Sequence, residues 1–61
     1  MELVTKFCGT YGCAGRMFNG MLVLSKDGRS VKIKGFGQMD EKEQRRQLVL
    51  ARETLHLKQA A

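Results

Sequence analysis

Residues 40–58 carry the one complete helix signature in this chain, and that segment limits what the rest can be. Asp40 is a favoured N-cap residue, and Glu43 stands three positions on, the spacing of a capping box. Asp40, Glu41 and Glu43 also place negative charge where a helix dipole is positive. Everything upstream reads as short β-like runs divided by glycine-containing turns. With only 61 residues, the chain has room for one domain, spanning residues 1–61. A domain of that size buries only about 60% of the surface its unfolded chain exposes. Hydrophobic residues make up 43% of the chain, enough for a thin core and too many for a disordered segment.

The upstream runs predict three strands. Residues 2–8 include Leu3, Val4, Thr5 and Phe7, rich in β-formers, and predict the first. Residues 16–25 predict a second, central strand. Its near-continuous apolarity (Met17, Phe18, Met21, Leu22, Val23, Leu24) fits an element covered on both faces, with Gly20 as a bulge or a close approach of another backbone. Asp27-Gly28 between two such runs predicts a tight hairpin turn. Residues 30–36 predict the third strand by alternation. Val31, Ile33 and Gly35 point one way; Ser30, Lys32, Lys34 and Phe36 point the other. The expected fold is α+β: a three-stranded antiparallel sheet, β-β-β, followed by one C-terminal helix packed on it.

Gly9, Gly12 and Gly15 recur at a spacing of three. No Gly-Lys-Ser/Thr follows them, so they are not a P-loop, and a long turn is the expected reading. On the helix, Leu48, Ala51 and Leu55 fall together, with Gln44 at their upstream end. Leu50 and Leu57 fall on nearly the opposite side. One small sheet covers only one side of a helix, so Leu50 and Leu57 are expected to form a partner interface.

The formal net charge is +5, and most of the excess lies in the strands. Lys6, Arg16, Lys26, Arg29, Lys32 and Lys34 face only Glu2 and Asp27 over the first 38 residues. Such a field favours a polyanion or an acidic protein surface. Candidate nucleic-acid-binding residues are Arg16, Lys26, Arg29, Lys32 and Lys34, with Phe36, or alternatively Tyr11, as the aromatic that stacks on bases.

Catalysis is not expected. The acids Asp40, Glu41 and Glu43 have helix-start roles, and Cys8 or Cys13 with His56 lacks a third, orienting group. No cofactor is implied. No metal site is expected either, because Cys8, Cys13 and the single His56 fall short of a four-ligand zinc set. The start, Met1-Glu2-Leu3, lacks the pattern of a signal peptide, and no apolar run approaches a membrane span. A cytoplasmic protein with no membrane partner is the expectation.

The order strand–strand–strand–helix over residues 3–57 resembles the arm-binding domains of phage-type integrases. It also resembles the back half of double-stranded-RNA-binding domains. That RNA-binding family has an additional first helix and lysines at the start of its last helix, where this chain reads Met39-Asp40-Glu41-Lys42. The size of the chain and its lack of motifs resemble the accessory proteins of phages and mobile elements. The expected function is a small basic DNA-binding accessory or regulatory protein that uses a basic sheet face. The alternative is a non-enzymatic interaction module: a homodimer, or an inhibitor-like protein docking on a larger partner.

Overall fold

The structure, a computed structural model, describes residues 2–59. In chain order it has α1 (Glu2–Tyr11), β1 (Ala14–Phe18), β2 (Met21–Lys26), β3 (Arg29–Ile33), one 3-10 turn (Phe36–Gln38) and α2 (Glu41–Thr54). The three strands form one antiparallel sheet in the order β1-β2-β3. The fold is α+β as expected, with a second helix, α1, ahead of the sheet.

Two short turns set that sheet. Asn19 and Gly20 have φ of 50° and 76°, and Asp27 and Gly28 have φ of 52° and 81°. Positive φ at both central residues is the type I′ signature, whose twist matches the strands it joins. The Asp27-Gly28 hairpin agrees with the sequence reading. Asn19-Gly20 corrects it: the single strand expected over residues 16–25 is two strands, and Gly20 is a turn residue rather than a bulge, approached by another backbone where the Gly37 N–H donates to its carbonyl at 3.0 Å.

The strand expected over residues 2–8 is helical. Leu3, Val4, Phe7, Cys8 and Tyr11 recur with the helical period and pack toward the core, which outweighs the β preference of the individual residues. α1 ends in a Schellman turn. Gly12 takes φ of 65°, and the Cys13 N–H donates to the Cys8 carbonyl at 3.2 Å. The Lys26 ammonium donates to the Tyr11 carbonyl at 3.0 Å, adding positive charge at the negative end of α1.

β2 pairs with both neighbours. Leu24 stands opposite Gly15 and Val31, and Leu22 opposite Met17 and Ile33. Directly opposed residues share a face, so these residues form the covered side. Leu22 and Leu24 are fully buried there with Ile33. Gly15 is required at its position: a Cβ would meet Cys8 Sγ at 2.8 Å and Val4 at 3.0 Å. Glycine thus lets α1 lie close against β1.

α2 covers the same side. Its N-cap is Asp40, whose carboxylate accepts from the Glu43 N–H at 2.8 Å. The Glu43 side chain instead accepts from Gln47 at 2.9 Å, so the box is half closed. Leu48, Ala51 and Leu55 are buried together with Gln44, the stripe read from the helical angle. Helix α2 ends four residues earlier than the expected limit of 58. The Leu57 N–H donates to the Arg52 carbonyl at 2.9 Å and the His56 N–H to Glu53 at 3.2 Å, a second Schellman turn with His56 at φ of 54°. That turn folds the chain back and buries Leu57, which is only 8% exposed.

Candidate nucleic-acid interface

The pleat that buries Leu22, Leu24 and Ile33 must turn their neighbours outward. Ala14, Arg16 and Phe18 of β1, Met21, Val23 and Ser25 of β2, and Ser30 and Lys32 of β3 share the opposite face. No other element among the described residues covers that face, and all eight are exposed or half-buried. Arg16 and Lys32 both stand opposite Val23, one on each side. Two strand spacings put their backbones about 10 Å apart. Phe18 is 61% exposed at the end of β1, next to its partner Met21. A shallow cavity of about 350 Å³ lies beside Arg16, lined by Ala14, Gly15, Val23 and Ser25.

The open face carries no acid in its register. The ion pairs among the described residues lie instead along the helices. Lys6 meets Glu2 and Arg45 meets Glu41, both at 3.4 Å, and Arg46 lies 4.0 Å from Glu43. Arg16, Lys32 and Lys34 have no such partner among the described residues. Their charge is therefore uncompensated by neighbours and available to a polyanion.

The six residues expected to bind nucleic acid separate into three groups. Arg16 and Lys32 lie together on the open face, and Lys34 follows in the turn after β3. Lys26 and Arg29 pair across the far hairpin with the parity of the covered side. Lys26 is already engaged at the end of α1, and both line a shallow cavity of about 450 Å³ with Asp27, His56 and Lys58. Phe36 is a correction. It is 0% exposed, the largest fully buried side chain, and its ring is closed off from bases. β3 ends at Ile33, before the alternation reaches residue 36. Gly35 at φ of 72° and the 3-10 turn then swing Phe36 inward, and the Gln44 amide donates to its carbonyl at 3.0 Å.

Phe18, Met21 and Val23 are the face residues that sequence reasoning missed. The available signal was Asn19-Gly20, the strongest short hairpin marker in the chain. Splitting the run there places Phe18 and Arg16 on one face by simple alternation. The expected partner interface is also corrected. Leu57 belongs to the core, while Leu50 remains 46% exposed beside Val49.

A second groove, about 320 Å³, lies between α1 and α2 over Leu3, Phe7, Leu48 and Val49. It too has cations at its rim, but they are committed. Lys6 and Arg45 are ion-paired, and Arg52 donates to the Tyr11 hydroxyl at 3.2 Å while lying 5.9 Å from its ring centre. Among the described residues no three His, Cys, Asp or Glu side chains converge as metal ligands. No described helix is long and apolar enough to cross a membrane. No family model, curated protein or solved structure matches this chain.

Proposed function

We propose that this protein binds DNA through the open face of its sheet. The observation that carries the reading is the row Arg16–Val23–Lys32, with unpaired cations on both sides of an apolar centre and no acid among the face residues. Arg16, Lys32 and Lys34 neutralise phosphates, and the released counterions supply the affinity. Phe18 takes the stacking role first assigned to Phe36. Stacking needs an unpaired base, so the exposed ring favours single-stranded over duplex DNA. A face built this way supports an accessory or regulatory role that works by binding.

With α1 present, the element order becomes α-β-β-β-α, the order of a double-stranded-RNA-binding domain including its first helix. Order alone is analogy. The start of α2 argues against that mode, since Asp40, Glu41 and Glu43 repel a phosphate backbone where the family carries lysines.

The test is binding of fluorescent single-stranded and duplex oligonucleotides, DNA and RNA, across a salt series. Arg16→Ala with Lys32→Ala is expected to flatten the log–log salt slope for single strands by about 1.4, at roughly 0.7 for each phosphate that is no longer neutralised. Phe18→Ala is expected to weaken single-strand binding by about 1–3 kcal/mol with little change in slope. No binding at low salt, or a slope that ignores the double substitution, refutes the reading.

The interaction-module reading rests on Val49 and Leu50, exposed side by side on α2. Leu57 no longer contributes to it. A homodimer using this patch predicts that Leu50→Glu lowers the solution mass from dimer to monomer.

A further inference from the structure

We propose that Cys8 and Cys13 form a modification site, at which a hydroperoxide or a low-molecular-weight disulfide closes an intramolecular Cys8–Cys13 disulfide across the end of α1. The backbone prepares this pairing. Gly12 occupies the left-handed position of the Schellman turn, which makes Cys8 and Cys13 the residues joined by its longer hydrogen bond, 3.2 Å from the Cys13 N–H to the Cys8 carbonyl. Side chains at those two positions typically lie against each other. Here Cys13 is close enough to act on the Cys8 thiol and raise its pKa.

Their surroundings hold them in place. Both are half-buried and pack against the core. Cys8 Sγ sits over Gly15, at 2.8 Å from where a Cβ would stand. A four-ligand zinc site is not available, because no third His, Cys, Asp or Glu among the described residues joins them. Thiol–disulfide chemistry is what remains for a juxtaposed pair.

The step balances with hydrogen peroxide as oxidant. The Cys13 sulfur attacks one peroxide oxygen, forming a sulfenic acid and releasing water. The Cys8 sulfur then attacks the sulfenic sulfur, and its proton leaves with the hydroxyl as a second water. Two thiols lose two protons and two electrons, and one peroxide becomes two waters. With a low-molecular-weight disulfide, a mixed disulfide forms first and two small thiols are released. Burial and the neighbouring Cys13 push the Cys8 thiol up to about 11. Cys8 is therefore a slow nucleophile near neutral pH, so the internal cross-link is expected to form faster as the pH rises.

The test treats the purified, reduced protein at low micromolar concentration with hydrogen peroxide or glutathione disulfide. The protein is then unfolded, alkylated with N-ethylmaleimide and weighed by mass spectrometry. The expected result is loss of both maleimide adducts in a monomer lighter by two hydrogens, with both adducts restored by dithiothreitol. Cys13→Ser is expected to retain its single maleimide adduct under the same mild oxidation, with no internal cross-link. Retention of both adducts, cross-linking only between chains, or irreversible sulfinic and sulfonic acids without a disulfide overturns the proposal.

Discussion

The two faces of this sheet are made from the same three strands, yet they obey different rules. On the covered face Leu22, Leu24 and Ile33 meet α1 and α2, and one glycine, Gly15, is fixed by a close approach. On the open face Arg16 and Lys32 are exposed and Val23 is half-buried. The same division holds for charge. On the helices Lys6, Arg45 and Arg46 find acids one turn away, whereas Arg16 and Lys32 on the open face have no ion pair among the described residues. Exposed helix pairs of this kind contribute little to stability, on the order of a few tenths of a kcal/mol each. Their larger effect is to offset much of the positive charge of the helices while that of Arg16, Lys32 and Lys34 stays uncompensated.

The comparison is tested most forcefully by truncating each of the two phenylalanines. Phe36→Ala is expected to cost about 3–5 kcal/mol, the range for deleting a buried aromatic, and much of what a small domain has. Urea denaturation followed by circular dichroism measures it. Phe18→Ala, on the open face, is expected to change stability by less than about 1 kcal/mol. Equal costs at both positions would mean that the faces are wrongly assigned.

Leucines give a smaller contrast of the same kind. Leu57→Ala is expected to cost about 2–3 kcal/mol because the C-terminal Schellman turn buries that side chain. Leu50→Ala is expected to stay within about 0.5 kcal/mol in a monomer. A large cost at Leu50 together with a fall in solution mass would instead reveal a partner on α2.

The smallest effect concerns the covered edge beside Gly15. The Cys8 thiol is pushed up from 9.0 to about 11, first by burial and then by Cys13. Its folded-state pKa is raised, so its contribution to stability is complete below pH 9. That contribution is lost as pH climbs through about 11, because the unfolded chain releases the proton sooner. Thermal melts between pH 8 and 11 are expected to fall less steeply for Cys8→Ser than for the parent protein. Identical slopes would place Cys8 in solvent rather than against the sheet.

Much of the fold was legible from local chemistry. Asp40 with Glu43 marked the start of α2, Asp27-Gly28 marked one hairpin, and the helical angle picked out Leu48, Ala51 and Leu55 as core. What escaped had competing local signals. Residues 2–8 are individually β-formers, and only their spacing of three to four betrays α1. Phe36 continues the alternation of β3 in sequence, but the left-handed Gly35 ends the strand before that alternation takes effect. Leu57 lies beyond the helix, where an angular projection no longer applies. Of the candidate site, the cations Arg16, Lys32 and Lys34 were visible as charge. Their aromatic neighbour Phe18 was not, because its place depends on the Asn19-Gly20 turn.

The most direct test of the open face is a residue-resolved titration. Amide chemical shifts of the labelled protein are recorded as a single-stranded DNA oligonucleotide is added at low salt. The account predicts that the largest changes fall on Arg16, Phe18, Met21, Val23 and Lys32, with α1 and the start of α2 nearly unmoved. Changes centred on the groove between α1 and α2, or no changes at all, would contradict it.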